Sequence, residues 1–545
     1  MLSLPTLLVL LSLLPLLILL KSHLTNPLRK LPAAHPLARF TSLWILYIRY
    51  IGYENRTLKA AHEKYGPIVC LGPKEVSVNC VKGGIREVYA GGFEKGDPTG
   101  GQNGGGGYNW YGFFKNYSGV DNMFSTSANK PHSIRKRMFS HIYSKSSINS
   151  SPSLAAQTSI ILYNRLLPLL SAHITHPQDS SPGILNIYPL LSASTMDFVT
   201  GYIFGLASSS DFLSNPKQLA WFLDLYNSRR SFNFWPQELP AFTAAVQKYM
   251  GYRLSPLWVD EANSHIEKWT KDMCEGARRT QSLENEGGKV EDKPIVYSHI
   301  ISGLAKEAKK AGITETTDFS DEVASEVLDH LAAGFDTSGI TLVYVIHELS
   351  THPEIQRRLQ TELTTLSPPL LPSSAPAIPD AKAVDTLPLL HAVIWETLRL
   401  HSAIPGAQPR FTPVSGCQLG PEEKSYYIPG GVRVSASAGL LHQNENVYER
   451  AGEWRPDRWL EQVDEEKRKD MESRWFWAFG SGGRMCVGSH LAVYQMKYIV
   501  ATLYSNYTTT IISDTNISQI DAYTAPPKSE KLLIKLHPQA HVKAG

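Results

Sequence analysis

The stretch FGSGGRMCVG, residues 479–488, decides the fold, because it places a cysteine inside a glycine-rich turn. Glycine adopts backbone angles that other residues resist, so such a turn lets another group approach the backbone closely. Cys486 lies two residues after an arginine and just before a helical pattern. Nearby positive charge and the free N–H groups of a helix start both favour a thiolate, the form of cysteine that binds metals. The alternative is a surface loop with a stray cysteine.

Several positions of this turn suit a thiolate ligand beneath a flat cofactor. Cys486 would supply the sulfur, Phe479 would shield it from water, and Arg484 would pair with an acidic edge of the cofactor. The pattern is F-x-x-G-x-R-x-C-x-G, with fixed positions at Phe479, Gly482, Arg484, Cys486 and Gly488. So many fixed positions in so short a stretch make a specific signal.

The composition of the 545-residue chain is that of a globular protein. Hydrophobic residues make up 42% and charged residues 19%, which excludes an intrinsically disordered chain. The formal net charge of +3 is too small for this length to indicate a nucleic-acid partner. The five cysteines are scattered, without a CxxC pair or Cys/His spacing, so neither a zinc site nor a disulfide framework is predicted.

The N-terminus predicts a membrane anchor. Residues 2–20, LSLPTLLVLLSLLPLLILL, are uncharged and long enough to cross a bilayer as a helix. A cleaved signal peptide is the alternative, but it would want a basic start and a shorter apolar core. Basic residues follow the run closely, which places the body of the protein on the cytosolic side. We expect an anchor over residues 1–21 and a Pro-rich linker over residues 22–39.

The remaining residues, 40–545, are predicted to form one mainly helical body with small sheets and no clear boundary. A helix is expected to end at Gly66-Pro67 and to be followed by a β-hairpin. Short strands are expected near 426–438 and in the tail. Helical patterning dominates from about 130 to 275 and returns at 320–350, 353–366, 384–401 and 489–505.

One long apolar helix carries a polar interruption, LAAGFDTSG, at residues 331–339. A helix interior disfavours Gly334, which costs about 1 kcal/mol relative to alanine. It also disfavours Asp336 and Thr337 unless their polar groups are hydrogen-bonded. Such an interruption in a good helix indicates a functional site. The alternative is a kinked core helix in which Thr337 is capped.

Two further segments carry charges whose role can be structural. Glu396 and Arg399 lie three residues apart in VIWETLRL, residues 393–400, and so share one helix face. A surface salt bridge of this kind is common and contributes little to stability. Further along the chain, WRPDRW at residues 454–459 supplies Arg458.

These segments together resemble the cytochrome P450 family. The turn at 479–488 is similar to the family's haem-binding signature, and the resemblance extends in order from about residue 40 to residue 540. It implies the cytochrome P450 fold, mainly α with small β-sheets, preceded by one N-terminal transmembrane helix. It also implies that haem b lies between two helices, with Cys486 as the axial thiolate ligand of the iron.

The resemblance also implies roles for the interrupted helix. Thr337 would hydrogen-bond O2, Asp336 would help relay protons, and Gly334 would leave room for O2. Leu331 and Phe335 would face an apolar pocket on this side of the haem, together with Ala332. A lipophilic substrate is therefore expected.

In the same family Glu396, Arg399 and Arg458 would form a buried triad that braces the wall near the cysteine turn. The acid Asp457 and the aromatic Trp459 depart mildly from the family pattern around Arg458. Removing one member of such a buried network would cost several kcal/mol. Its role would therefore be structural.

Haem has two propionates, which need cationic partners. His132 and Lys136 in KPHSIRKR, residues 130–137, are candidates by resemblance, and so is Arg410 in PGAQPRF. The alternative for 130–137 is a solvated basic face. Such a face could also dock an acidic, electron-donating partner.

The activity implied by the resemblance is O2-dependent monooxygenation of a lipophilic small molecule. Because the chain has no flavin or nicotinamide motif, NADPH would act through a separate NADPH–cytochrome P450 reductase, with cytochrome b5 as a further donor. The segment 122–146 looks most like filamentous fungal members, which implies secondary-metabolite biosynthesis. We expect a single-pass protein of the endoplasmic reticulum membrane whose catalytic domain, residues 40–545, faces the cytosol.

Two other functions stay open. One is a haem-thiolate isomerase or dehydratase that works without a reductase, and the other is a non-catalytic haem-binding sensor or carrier. Asp336 and Thr337 weigh against the isomerase, because such enzymes need no proton relay to O2. The intact oxygen-activating segment and the anchor weigh against the sensor.

Overall fold

The computed structural model describes residues 21, 24, 26–100, 107–175, 183–283, 288–312 and 318–539. Within these ranges, no helix combines the length and apolar character needed to cross a membrane. The predicted anchor, residues 1–21, lies outside the described residues except for residue 21.

The described body is mainly helical, as predicted. The α-helices in chain order are α1 Leu43–Tyr50, α2 Glu54–Tyr65, α3 Asn129–Phe139, α4 Lys145–Asn149, α5 Pro152–Ile160, α6 Leu167–Thr175, α7 Ile187–Phe204, α8 Pro216–Ser228, α9 Phe234–Glu238, α10 Pro240–Met250, α11 Leu257–Leu283, α12 Ile295–Lys310, α13 Ser320–Thr351, α14 Pro353–Leu363, α15 Ala381–Asp385, α16 Pro388–Leu400, α17 Ala438–Leu441, α18 Glu465–Lys469 and α19 Ser489–Asn506. The helices predicted at 320–350, 353–366 and 489–505 are α13, α14 and α19, while the pattern at 384–401 covers α15 and α16.

The strands form small sheets. They are β1 Ile68–Gly72, β2 Glu75–Val78, β3 Ile184–Asn186, β4 Ala407–Phe411, β5 Cys417–Leu419, β6 Tyr426–Ile428, β7 Arg433–Ser437, β8 Tyr507–Ser513 and β9 Leu533–Pro538. The largest sheet has the order β1-β2-β7-β4, a second has the order β3-β9-β8, and β5 pairs with β6. The predicted hairpin is confirmed, because β1 and β2 are antiparallel and follow α2. That helix ends before Gly66, whose φ is 94°.

The core lies around α13 and α7. Nearly every residue of α7 is buried, and so is most of α13. The side chain of Asn186 caps α7 by accepting the Tyr188 N–H. Thr195 of α7 donates a hydrogen bond from its Oγ1 to the carbonyl of Phe335 in α13, at 3.0 Å. Two helices buried on almost all sides provide a rigid centre for the site.

Residues 26–39, which the sequence predicted as a linker, pack against the body. Leu28 and Leu31 are buried. The Ala34 N–H donates to the carbonyl of Cys70 in β1, at 3.0 Å. The described part of the segment is therefore an outer layer of the domain rather than a free spacer.

The glycine-rich segment after residue 90 is tied to the sheet. The Phe411 N–H of β4 donates to the carbonyl of Glu94, at 2.9 Å, and Gly96 forms a β-bridge with Asn109. Residues 101–106 lie outside the described residues. A single helical turn, Trp110–Phe114, ends this segment and carries its aromatic side chains inward.

Candidate active site

The cysteine turn forms a tight loop in front of α19. Gly482 has a φ of 70°, and a Cβ there would lie 2.3 Å from the carbonyl oxygen of Tyr89, so only glycine fits. The Cys486 N–H donates to the carbonyl of Phe479, at 2.9 Å, which closes the loop. Gly488 is the N-cap residue of α19. The thiol therefore lies at the positive end of a helix.

The Cys486 thiol is accessible and yet enclosed by protein. It is the exposed member of the five cysteines, yet burial is the main influence that raises its pKa. A group that is accessible but surrounded by protein faces an internal space rather than the outer surface. The N–H groups of Gly488 and Ser489 donate to the sulfur and lower the pKa of the thiol, as does the charge of Lys136. These groups favour the thiolate.

The middle of α13 presents an accessible stripe within the core. Ala333 is exposed, and Asp329 and Thr337 are half-buried, while residues 323–328 and 338–346 are buried. A spacing of four residues puts these three side chains on one helix face. The charge of Asp329 contributes to raising the pKa of the Cys486 thiol. The stripe therefore lies close to the thiol.

Thr337 lies on this stripe, as its predicted role requires. Its Oγ1 donates to the carbonyl of Ala333, at 2.9 Å, and α13 runs without a break from Ser320 to Thr351. Thr337 is thus capped by a hydrogen bond within the helix, as the alternative interpretation expected. The Thr337 oxygen keeps its capacity to accept a hydrogen bond from the cavity.

Asp336 is held in an ion pair rather than free in the cavity. Its two oxygens accept from Nη2 of Arg230, at 2.9 and 3.0 Å. Arg230 also pairs with Glu530, at 3.2 Å. The predicted proton-relay residue therefore starts from a closed pair that links α13 to the end of α8.

Gly334 serves helix packing. A Cβ at this position would lie 2.6 Å from Cγ2 of Val199, so the glycine lets α13 and α7 approach closely. The amide of Gln495 donates to its carbonyl, at 3.2 Å. The missing side chain thus faces α7, and the predicted role of leaving room for O2 is not what this geometry provides.

The prediction of which apolar side chains of α13 face the pocket is corrected in part. Leu331 and Phe335 are buried in the core, where the Phe335 ring lies 4.9 Å from that of Tyr226. Ala332 is half-buried and Ala333 is exposed. The rotation of a helix is set by its packing partners, so the sequence pattern alone did not distinguish these neighbours.

A cluster of buried and half-buried basic side chains lies beside the turn. It contains the predicted residues His132, Arg410 and Arg484 and one residue that the sequence analysis missed, Lys95. Burial and the charges of Arg484 and Lys95 lower the pKa of His132 to about 3. Burial and the charge of Arg410 lower the pKa of Arg484 to about 10.

The polar partners of this cluster are neutral. Arg484 donates to the carbonyl of Thr126, at 2.7 Å, and Arg410 donates to the hydroxyl of Tyr111, at 2.7 Å. Lys95 donates to the carbonyl of Phe124 and lies over its ring. Buried charge is normally matched by an opposite charge. A cofactor with two carboxylates, as haem has, fits this uncompensated positive charge.

Lys136 braces the turn itself. Its ammonium donates to the carbonyls of Gly483 and Met485, each at 3.0 Å. Its neighbour Arg135 pairs with Glu326 of α13, at 3.0 Å. The structure thus joins Lys136 to the protein rather than leaving it for the predicted propionate contact.

The triad predicted from the sequence is confirmed. Glu396 accepts from Nε and Nη2 of Arg399, at 2.9 and 2.7 Å, and from Nε of Arg458, at 3.0 Å. The indole of Trp459 also donates to Glu396, at 2.9 Å, which a phenylalanine at this position could not do. All these side chains are buried. Asp457 lies outside the triad, where it pairs with Arg358.

A second buried network joins α9 to the largest sheet and was not predicted. We call it the sheet-edge cluster: Arg49, Glu54, Glu75, Glu238 and Arg433. Glu238 pairs with Arg433 at 2.8 Å and with Arg49 at 3.3 Å. Arg49 also pairs with Glu54 at 2.9 Å, and Arg433 pairs with Glu75 at 3.2 Å. Burial alone would raise the pKa of Glu238, but the two arginines hold it at about 2.

The thiolate turn, the accessible stripe of α13 and the unmatched buried cations together define the active site of a haem-thiolate protein. The family model for cytochrome P450 matches residues 43–534, and the chain belongs to this family. It is an enzyme of the family's monooxygenase class.

Curated relatives are similar over most of their length. Cytochrome P450 monooxygenase avaI of Aspergillus versicolor is 28% identical, over 81% of this chain and 95% of the relative. Cytochrome P450 monooxygenase orf2 of Aspergillus niger is 24% identical, over 94% of this chain and 93% of the relative. Cytochrome P450 monooxygenase hkm5 of Aspergillus hancockii is 26% identical, over 93% of this chain and 90% of the relative.

Proposed function

We propose that the protein inserts one oxygen atom of O2 into a lipophilic small molecule of fungal secondary metabolism. The observation that carries the proposal is the accessible Cys486 thiol at the N-terminus of α19, close to the accessible face of α13 that carries Thr337. The overall reaction consumes substrate, O2, NADPH and a proton, and it yields oxygenated product, water and NADP+. The fungal relatives support the assignment of the metabolic branch.

Haem b fits the residues that line this cavity. Cys486 would ligate the iron, while Arg410 and Arg484 would pair with the propionates. Burial lowers the pKa of Lys95 well below its usual value, and a propionate beside Lys95 would favour its charged form. When bound, haem supplies the chemistry that activates O2 with electrons from a donor protein. His132 stays neutral at physiological pH, because burial lowers its pKa to about 3. It would therefore line the site as a neutral polar group rather than as a cation.

Thr337 and Asp336 handle protons on the substrate side. The Thr337 hydroxyl turns from the Ala333 carbonyl towards the cavity to donate its proton there. Asp336 breaks one of its two bonds to Arg230 in order to carry a proton inward. The ion pair with Arg230 therefore has to open before Asp336 can carry a proton.

An NADPH–cytochrome P450 reductase supplies the electrons, with cytochrome b5 as a second donor. The donor docks where α3 meets the cysteine turn. Lys130 and Arg137 of α3 are exposed there, and so is Met485 of the turn. Lys136 connects the two segments through its bonds to the turn. A cationic face with an exposed apolar residue suits an acidic partner.

The body lies against the cytosolic side of the endoplasmic reticulum membrane and is anchored by residues 1–21. An exposed apolar surface supports this orientation. Its members lie on α1, on α10 and the segment after it, and at the start of α11: Leu43, Tyr47, Tyr50, Phe242, Tyr249, Met250, Tyr252, Leu257 and Trp258. Trp235 of α9 connects the two parts, since its ring lies 5.8 Å from that of Tyr50 and 6.1 Å from that of Phe242. Large exposed apolar patches mark membrane or protein contacts.

The ligand assignment is tested by Cys486→Ser, with Cys417→Ser as the matched control. Cys417 is half-buried on β5, away from the turn. We expect Cys486→Ser to lose the thiolate-type absorption spectrum of the reduced carbon monoxide complex, while the control keeps it. An unchanged spectrum in Cys486→Ser would refute the proposal.

The proton role is tested by Thr337→Ala, with Thr341→Ala as the matched control. Both hydroxyls bond to a carbonyl four residues earlier, but Thr341 is buried. We expect Thr337→Ala to keep haem and to convert NADPH electrons into hydrogen peroxide instead of product. Equal coupling in the two variants would argue against a role for Thr337.

The reaction class is tested by mass spectrometry of the source organism with and without the gene. A deletion strain that accumulates a compound one oxygen lighter than the lost product supports monooxygenation. If the accumulated compound is an isomer, or differs by water, the reductase-independent isomerase or dehydratase replaces the proposal.

A further inference from the structure

Three side chains that can ligate a metal lie together in the first half of α13: Glu326, Asp329 and His330. Spacings of three and four residues place them on one face of the helix. One ligand atom of each lies within 4.8 Å of the ligand atoms of the other two. Glu326 and His330 are buried, and Asp329 is half-buried. The cluster is therefore enclosed by protein but can be reached past the Asp329 carboxylate.

The imidazole of His330 has one nitrogen with a partner and one without. The residue is only 7% exposed, and its Nδ1 lies 3.0 Å from the hydroxyl of Tyr143. Its Nε2 is buried and has no hydrogen-bond partner among the described residues. The nearest carboxylate atom, Oε1 of Glu326, lies 3.6 Å away, which is too far for a hydrogen bond. Buried polar atoms normally have a partner, so this nitrogen calls for a ligand.

The contact with Tyr143 decides which nitrogen is free to bind. If Nε2 carried the proton, a buried N–H donor would stay unsatisfied, which is costly. With the proton on Nδ1, the ring donates to the Tyr143 hydroxyl, and Nε2 presents its lone pair to the two carboxylates. Histidines that ligate metals are held in this way, with one nitrogen on the metal and the other donating to an oxygen atom.

The distances suit a zinc ion. Zinc forms bonds of about 2.0–2.2 Å to imidazole and carboxylate in a tetrahedron, so its ligand atoms are about 3.4 Å apart. The 3.6 Å between Nε2 of His330 and Oε1 of Glu326 matches that separation. The Asp329 oxygen has to move inwards by no more than about 1.5 Å, which a rotation of this half-buried side chain allows.

Two basic side chains stand beside the cluster and leave Oε1 of Glu326 and Nε2 of His330 open. Arg135 binds the other oxygen of Glu326, Oε2, at 3.0 Å. Lys95 donates to the carbonyl of Phe124, and burial lowers its pKa well below the usual value, so it adds little repulsion to a cation. The two carboxylates balance the charge of a divalent ion bound by a neutral imidazole.

We propose that Glu326, Asp329 and His330 bind one Zn²⁺ ion, with a water molecule as the fourth ligand on the accessible side of α13. The site is structural. Partners of these ligands come from residues 123–143, since Glu326 also accepts the Met123 N–H at 3.1 Å. The ion would fasten this segment, which contains α3, to α13. The inference does not depend on the proposed reaction.

The sequence gave no sign of this site. Zinc sites are usually recognised by pairs of cysteines or histidines at fixed spacings, and the chain has none. A single histidine with two carboxylates on one helix looks like an ordinary polar helix face. Only the unpartnered Nε2 and the contact with Tyr143 distinguish it.

The test uses the untagged, full-length, haem-loaded enzyme, first freed of divalent ions with a chelator that is then removed. Equilibrium dialysis against micromolar Zn²⁺, followed by mass spectrometry of the metals, gives the zinc bound per haem iron and the dissociation constant. We expect the wild type to bind about one more zinc ion than His330→Gln. The dissociation constant of that ion should rise about 100-fold or more in His330→Gln and about tenfold or more in Tyr143→Phe.

The matched control is His299→Gln. The rings of His299 and His141 lie 4.9 Å apart and could take up zinc at the surface, but the ion assigned to α13 should stay in this variant. Asp329→Asn provides a second ligand variant at a half-buried position, in case His330→Gln fails to fold. The reduced carbon monoxide spectrum of every variant reports the thiolate site, so a failure of the haem assignment is seen separately. Equal zinc binding by the wild type, His330→Gln and Asp329→Asn overturns the proposal.

Discussion

The Glu396 triad and the sheet-edge cluster both bury arginines against carboxylates, but their charges balance differently. In the triad a single carboxylate serves two guanidinium groups, and no second carboxylate contacts them among the described residues. In the sheet-edge cluster, Arg49 and Arg433 would still have Glu54 and Glu75 as partners without Glu238. Two positive and two negative groups would remain. The triad therefore depends on its one acid. The sheet-edge cluster, in contrast, can lose the charge of Glu238 without leaving an unmatched charge.

The largest effect is expected from Glu396→Gln. Because the change leaves Arg399 and Arg458 buried without a carboxylate, we expect a loss of about 3–5 kcal/mol in the free energy of unfolding. Since whole proteins are stable by only about 5–15 kcal/mol, little haem-loaded enzyme should accumulate. Urea denaturation followed by tryptophan fluorescence measures the loss. A change below about 1 kcal/mol would show that the triad is not essential.

A smaller loss is expected from Glu238→Gln. The remaining four charges of the sheet-edge cluster stay balanced, and the amide can still accept the indole N–H of Trp110, which lies 2.7 Å from Glu238. We expect about 1–3 kcal/mol by the same urea assay. A loss as large as that of Glu396→Gln would contradict the difference drawn between the two clusters.

The stabilities of the wild type and of Glu238→Gln should also depend differently on pH. The folded-state pKa of Glu238 is lowered to about 2, below the unfolded value of about 4.3. Its contribution to stability is therefore complete above about pH 4.3 and is lost as the pH falls towards about 2. Urea midpoints of the wild type and Glu238→Gln should differ most near pH 6 and should converge in acid. A constant difference would mean that the carboxylate charge is not the cause.

The smallest effect is expected from Asp457→Asn, which also serves as the control for Glu396→Gln. Asp457 and Arg358 form a pair at 2.6 Å, but both side chains are 48% exposed. Water screens such a pair, so we expect a loss of at most about 0.5 kcal/mol. A larger loss would show that the neighbouring surface, and not only the buried triad, supports this wall.

Sequence reasoning found the parts of the site that lie close together along the chain. The turn around Cys486 and the pair Glu396 and Arg399 are short motifs, because their geometry is set within one or two helical turns. Lys95 and Glu238 were missed, since each occurs in a segment without periodicity and acquires its role from distant partners. Arg433, for example, reaches Glu238 from a strand nearly two hundred residues away.

The sequence by itself determined the family, the cysteine turn, the triad and the extent of the long helices. These features depend on local spacing and on apolar periodicity, which are properties of the chain before it folds. Only the tertiary structure decided which face of α13 is accessible, that Asp336 is paired with Arg230, and that basic side chains gather beside the cysteine turn. Those outcomes depend on the rotation of packed helices and on contacts between remote segments, which no local pattern specifies.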